Sequence, residues 1–383
     1  MKRKNIVNEI RNVALIAVTA FLCILVSGCR NPKSGSLPVP SSPYVQDLTI
    51  EAQNYADSLL SELTLEQRVG QCLMPSLPSS SDSVTLQMLR TYIEDYHVGG
   101  VLLFSGDLKS VEAISKIGKI SPVPLFIAID AEWGLGMRLE DAPSYPKNGD
   151  ISRTATESHL YDYGRKIAEE CRDIGINMVM GPVIDVVSSQ GGIIGKRSYG
   201  ADASFVAKYG VAYAKGLESG GVVSVAKHFP GHGSIRGDSH KNKVRINRNI
   251  EELDSIDLMP FREYINSGLS GIMAGHIQSR ALDPDMKIAS VSVDMLTSLL
   301  REEMGFKGLI ITDAFNMEGV KGFDAFQSLE AGADIILCPN DIKSVFQDII
   351  SKVTSGALPL SIVDERCRRI LFMKYLFSIP PKK

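Results

Sequence analysis

Gly308-Leu309-Ile310-Ile311-Thr312-Asp313 is the stretch whose reading decides the fold. Leu309 to Thr312 are all apolar or β-branched, and a single carboxylate closes the run. Such a continuous run, with no polar alternation, predicts a strand buried on both faces, which is the condition of a parallel sheet covered by helices. The same pattern recurs on either side, at Gly271–His276 and at Ala333–Cys338. Further back it appears at Arg68–Met74, Gly99–Phe104, Pro124–Asp130, Asn177–Val183 and Val222–Lys227, making eight runs in all. Amphipathic, helix-length stretches separate them, among them Ser158–Ile174, Ser204–Ser219, Ile250–Ser267, Val293–Met304 and Ser344–Thr354, and Ser361–Tyr375 ends the pattern. A helical crossover after each buried strand predicts an α/β fold, a TIM (β/α)8 barrel forming a single catalytic domain. A doubly wound open sheet is the alternative.

The barrel reading also predicts where function sits, because active sites of this fold gather at the C-terminal ends of the strands. The polar residues that interrupt the apolar runs stand at those ends: Asp130 and Glu132, Asp185, Lys227 and His228, His276, and Asp313. The densest segment is Lys227-His228-Phe229-Pro230-Gly231-His232-Gly233, continuing through Asp238 and Ser239 to His240. Its glycines and proline predict a loop. At a spacing of two, a carboxylate on Asp238 can bond one ring nitrogen of His240, fix the tautomer and leave the other nitrogen to move a proton. A zinc reading of His228, His232, His240 and Asp238 is weaker, since Pro230, Gly231 and Gly233 forbid the helix that gives histidines four apart their usual meaning. A structural loop of satisfied histidines is the bland alternative.

Asp313 is costly to bury at the end of an apolar strand unless it is paired or used. It reads either as a helix N-cap or as a nucleophile toward an anomeric carbon. In Ile127-Ala128-Ile129-Asp130-Ala131-Glu132-Trp133-Gly134-Leu135-Gly136-Met137-Arg138, both Asp130 and Arg138 are candidates for bonding sugar hydroxyls. Trp133, the sole tryptophan, is a candidate for stacking on a sugar or for packing the loop. Arg197, in Gly195-Lys196-Arg197-Ser198-Tyr199-Gly200, reads as a surface charge or as a fixed multi-donor contact.

Together these segments resemble glycoside hydrolase family 3, in its β-N-acetylhexosaminidase branch, over roughly residues 50 to 378. The resemblance implies Asp313 as nucleophile, His240 as acid/base with Asp238 as its partner, and sugar contacts from Asp130, Arg138, Arg197, Lys227 and His228. It implies a retaining hydrolase for terminal β-linked N-acetylglucosamine, acting on peptidoglycan fragments or other glycans through a covalent glycosyl-Asp313 intermediate, without metal or organic cofactor. Two departures stand out. Ala314 replaces a second acidic residue after the nucleophile, and the loop after Asp130 differs from the commoner Gln-Glu-Gly-Gly-Arg-Val-Gln, which bears on fine specificity. A histidine acid/base avoids two nearby anions, so phosphorolysis of N-acetyl-β-glucosaminides is an alternative. β-Glucosidase or β-xylosidase activity, and an inactive sugar-binding lipoprotein, are the others.

The 383 residues, 44% hydrophobic and 22% charged, suit a globular enzyme and exclude general disorder. A formal net charge of −3 gives no reason to expect a nucleic-acid partner. The N-terminus reads as a targeting segment: a basic region from Lys2 to Arg11, an apolar core from Val13 to Val26, then Ser27-Gly28-Cys29. Residues 1–28 are expected to be a lipoprotein signal peptide, Cys29 the lipidated residue, and 29–48 a Pro- and Ser-rich tether. Residues 49–383 then form the catalytic domain. The expected location is extracytoplasmic, on a bacterial membrane. Of six cysteines, Cys72, Cys171, Cys338 and Cys367 belong to the folded part; they lack metal-ligand spacing, and their pairing stays open.

Overall fold

The computed structural model describes residues 50–187, 192–235 and 243–377. Cys29, the signal segment, the tether, Asp238 and His240 lie outside the described residues.

Eleven strands and ten numbered helices carry the architecture among the described residues. The strands are β1 (Leu73–Met74), β2 (Ser76–Ser79), β3 (Gly100–Gly106), β4 (Phe126–Ile129), β5 (Met178–Val179), β6 (Val223–Phe229), β7 (Val244–Ile246), β8 (Gly271–Ala274), β9 (Ile277–Ser279), β10 (Leu309–Thr312) and β11 (Ile336–Leu337). The helices are α1 (Ile50–Glu62), α2 (Leu65–Gln71), α3 (Ser83–Glu94), α4 (Leu108–Gly118), α5 (Glu157–Asp173), α6 (Ala203–Ser219), α7 (Met259–Asn266), α8 (Phe326–Ala331), α9 (Ile342–Thr354) and α10 (Leu360–Leu376).

Seven strands pair in parallel in the order β10-β8-β6-β5-β4-β3-β2, and β1 pairs in parallel with β11. Further backbone bonds link these two ladders. Thr312 N–H donates to Ile335 at 3.0 Å and Phe315 N–H to Leu337 at 2.9 Å, on one flank of β11. Gly99 N–H donates to Leu73 at 3.1 Å and Leu102 N–H to Pro75 at 2.9 Å, on one flank of β1. This parallel α/β arrangement is compatible with the expected eight-stranded barrel.

Every residue of β4, β8 and β10 is buried, as the unbroken apolar runs predict. Successive side chains go to opposite faces. Ile127 and Ile129 pack with Leu160 and Ile167 of α5, whereas Phe126 and Ala128 share a second cluster with Met178, Val225, Leu309 and Ile311. Caps fix where the helices begin. Thr64 and Gln67 bond reciprocally at the start of α2, and Asp107 and Asp202 accept from the third residue of α4 and α6.

Two sequence expectations need correction. Arg68–Met74 is not one strand: Arg68 to Gln71 belong to α2, nucleated by its capping box, and β1 starts at Leu73. Ile250–Ser267 is not one helix. A short turn at Ile250–Glu252 passes into a π-helical segment at Leu253–Asp257, and α7 begins afresh with Pro260 in its first turn. The four cysteines of the described part are all buried free thiols.

Outside the main sheet, β7 and β9 pair in parallel. Ile235, Val244, Ile246, Leu253 and Ile277 form a small cluster of their own there. Ile235 and Val244 thus lie buried in one cluster, before and after the segment that contains Asp238 and His240.

Candidate active site

A cavity of about 480 Å³ opens at the C-terminal ends of the strands, and Asp130, Arg138, Arg197, Lys227, His228 and Asp313 all line it. These are the six described residues to which the family resemblance assigns a role, drawn from four segments. The barrel rule for site position accounts for their convergence.

One wall is a network of buried charges. Lys227 Nζ lies 2.7 Å from Asp130 Oδ1 and 2.9 Å from Glu132 Oε1, and its side chain is 3% exposed. Arg197 clasps Glu132 with two bonds, at 2.9 and 2.7 Å, and Arg138 bonds Asp130. Two carboxylates thus alternate with three cations, each carboxylate touching two of them. Burial by itself raises the Asp130 carboxyl, but the charges of Lys227 and Arg138 outweigh it and hold the group well below the usual carboxylate range. Glu132 is lowered in the same way, against its burial, by Lys227 and Arg197. Burial opposes the charge of Lys227 as well, and the two carboxylates override it and raise the amine. The wall is ionised at neutral pH and presents fixed donors and acceptors.

Asp185 supports the adjoining loop. Its Oδ2 accepts from His228 Nδ1 at 2.8 Å, and its Oδ1 accepts the His232 N–H at 2.6 Å and the His228 N–H at 3.2 Å. With Nδ1 donating, neutral His228 keeps Nε2 as an acceptor. Gly233 packs so tightly on the same segment that a Cβ there would sit 2.1 Å from the Val186 carbonyl oxygen. Gly231, at φ 134°, would meet the Asp257 side chain at 2.7 Å. Burial pushes the Asp257 carboxyl up to about 6 in spite of Arg248, which bonds it at 2.5 Å.

Asp313 lines the same cavity, directly after β10. Its N–H donates to Ala274 at 2.8 Å, and its Oδ1 accepts the Ala314 N–H at 2.8 Å. Behind it, His276 Nε2 donates to the Ala314 carbonyl at 3.0 Å, and Nδ1 accepts from the Ser290 hydroxyl at 2.8 Å. His276 is a buried brace for the turn that carries Asp313. Asp313 is therefore a half-buried carboxylate on a braced backbone, lining the same cavity as the ionised groups. That arrangement suits a neutral, polyhydroxylated ligand whose hydroxyls bond those groups while one carbon meets the carboxylate.

Several residues were visible as strand-end polar positions without their roles being legible. Glu132 and Asp185 belong here, since their partners lie 65 and 43 residues away. Phe104, Met137, Met180, Met273 and Met317 add an apolar lining that no motif announces. Trp133 is not among the cavity-lining residues; the Lys147 ammonium sits 5.1 Å from its ring centroid. Among the described residues no group of three histidines, cysteines or carboxylates is placed to hold a metal ion.

Comparison with known proteins finds a family and several relatives. The Glycosyl hydrolase family 3 N terminal domain matches residues 64–373. Beta-hexosaminidase A of Pseudoalteromonas piscicida is 34% identical over 333 residues, which are 74% of this chain and 54% of that protein. The chain thus spans about half the length of that relative. Beta-hexosaminidase LpqI of Mycobacterium tuberculosis is 29% identical over 392 residues, 95% of this chain and 97% of the relative. A family 3 β-N-acetylglucosaminidase from Paenibacillus sp. FPU-7 superposes with a TM-score of 0.78 at 31% identity, covering 84% of this chain and 64% of that one.

Proposed function

The chain belongs to glycosyl hydrolase family 3, and from that premise we propose that it is a retaining β-N-acetylhexosaminidase, releasing terminal β-linked N-acetylglucosamine from peptidoglycan fragments or other glycans. The observation that carries this reading is the cavity that Asp313 lines together with Asp130, Arg138, Arg197, Lys227 and His228. The names of the relatives support the substrate class. The backbone bonds on both flanks of β1 and β11 support reading the sheet as a closed (β/α)8 barrel.

In the first step an Asp313 carboxylate oxygen bonds to the anomeric carbon. The glycosidic bond breaks as protonated His240 gives its proton to the leaving oxygen. In the second, His240 takes a proton from water, the water oxygen bonds to the same carbon, and the Asp313 ester bond breaks. Two inversions leave the configuration retained. Asp238 is read as the group that orients His240. The ionised wall holds sugar hydroxyls, its donors and acceptors already fixed before the reaction begins. We also propose that Cys29 carries a lipid that anchors the enzyme outside the cytoplasm.

The test is release of 4-nitrophenol from 4-nitrophenyl N-acetyl-β-glucosaminide. Asp313→Asn is expected to lower kcat by about 10⁴-fold or more, by analogy with loss of a catalytic nucleophile. His240→Ala is expected to cost about 10²- to 10⁴-fold. Turnover of the β-glucoside or β-xyloside instead would sink the hexosaminidase reading. Stimulation by phosphate, with sugar 1-phosphate as product, would replace hydrolysis by phosphorolysis. Silence on every substrate would favour a sugar-binding protein.

A further inference from the structure

A second cavity, of about 410 Å³, adjoins the first and shares Asn316 and Met317 with it. Both volumes fall in the range of small-ligand sites, about 300–1,000 Å³. The second cavity is built by the chain that follows Asp313, from Phe315 to Ala325, together with Asn340 and Val345 after β11.

We propose that this cavity is the leaving-group subsite and that it takes an uncharged, N-acetylated sugar. The inference rests on the hexosaminidase reading above and deepens it. Two observations support the position. The shared wall begins three residues after Asp313, so the second cavity opens beside the atom that attacks. Its Phe323 ring lies 5.2 Å from the ammonium of Lys243, which follows His240 by three residues in the chain. The cavity therefore lies next to Lys243, the first described residue after the segment that contains Asp238 and His240.

The wall chemistry selects the ligand. Asn316 and Asn340 each offer an amide that both donates and accepts, suited to hydroxyl and acetamido groups. Lys321 is the one cation among the lining residues, and it is paired with Glu318 at 2.5 Å. Asp324 adds a further carboxylate. A leaving sugar that carries an acidic peptide would meet two carboxylates and a cation already matched. A neutral second N-acetylglucosamine meets amides and an aromatic edge.

The experiment compares three substrates: 4-nitrophenyl N-acetyl-β-glucosaminide, the β-1,4-linked dimer of N-acetylglucosamine, and N-acetylglucosaminyl-N-acetylmuramyl peptide. Each is tested with the full chain and with Asn340→Ala, a substitution at an exposed position. The dimer should have the higher kcat/KM of the two disaccharides. Asn340→Ala should cost about tenfold on the dimer, the value of one good hydrogen bond, and less than about twofold on the aryl glycoside, whose leaving group carries no sugar hydroxyl or acetamido group to bond Asn340. Equal losses on both substrates, or none on the dimer, would overturn the subsite. A preference for the muramyl peptide would overturn the uncharged ligand. Both results leave turnover of the aryl glycoside intact, whereas its absence in the unaltered chain would remove the underlying reading and the inference with it.

Discussion

Lys227 carries more of the site than its single charge suggests. It lies between Asp130 and Glu132, and those two carboxylates in turn hold Arg138 and Arg197. Replacing it with methionine keeps the volume of the stem and leaves two buried carboxylates with one cation each. Removing one partner of a buried charge network costs about 3–5 kcal/mol, because the desolvated charge left behind is not compensated. Lys227→Met should therefore lower the unfolding free energy by an amount in that range, read as a fall in the urea midpoint, and raise KM for the aryl glycoside. The pH dependence has a definite sign. The folded state holds Asp130 and Glu132 below the usual carboxylate range, so it binds fewer protons there than the unfolded chain. Their contribution is present above about pH 4 and is lost as the pH falls below it. In Lys227→Met that acid sensitivity should be weaker, and urea titrations at pH 3.5 and 7 would measure it. An unchanged midpoint at both would mean that Arg138 and Arg197 suffice to satisfy the carboxylates.

At the scale of elements, the end of β6 and the turn that follows it to Gly233 are held by the Asp185–Val186 segment, through carboxylate bonds at His228 and His232 and backbone contact at Gly233. Gly233→Ala would put a methyl carbon 2.1 Å from a carbonyl oxygen, and backbone must move to relieve it. The expected result is a kcat on the aryl glycoside reduced by about 10²-fold, the cost of a displacement near 1 Å at a catalytic group, with a folded far-ultraviolet spectrum retained. Full activity would show that the segment following Gly233 does not depend on this contact. The same elements show what a sequence discloses. Buried parallel strands were legible because Leu309–Thr312 and its counterparts have no polar face, and the site's position followed from the polar residues closing them. Arg68–Met74 was misread because a short apolar run has no period of its own, although Thr64 and Gln67 carry the capping-box signature of a helix start. Long-range pairings such as Glu132 with Arg197, and the division of the loop region into two cavities, have no local signature. They arise only when distant strand ends are brought together.

For the whole molecule, the catalytic domain and the N-terminal segment make separate demands. The family match occupies residues 64–373, and every described site residue falls within it. No helix among the described residues is long and apolar enough to cross a membrane. The N-terminal segment lies outside the described residues. The order of that segment, basic from Lys2 to Arg11, apolar to Val26 and small at Ser27 and Gly28 before Cys29, fits export followed by lipidation of the cysteine. Acyl chains hold a protein at a bilayer through the methylenes they bury, about 0.8 kcal/mol each, so loss of the acceptor sulfur should be decisive for location. Chemistry should not be affected, because Cys29 lies 35 residues before the start of the match. Cys29→Ser, expressed in a bacterium, is expected to move the enzyme from the membrane pellet to the soluble extracytoplasmic fraction, or to leave it held by an uncleaved signal segment of higher mass. Its kcat/KM on the aryl glycoside, measured in detergent, should equal that of the parent. A parent found in the soluble fraction, or a variant that stays in the pellet at its processed mass, would refute the lipid anchor and leave the assignment of the active site untouched.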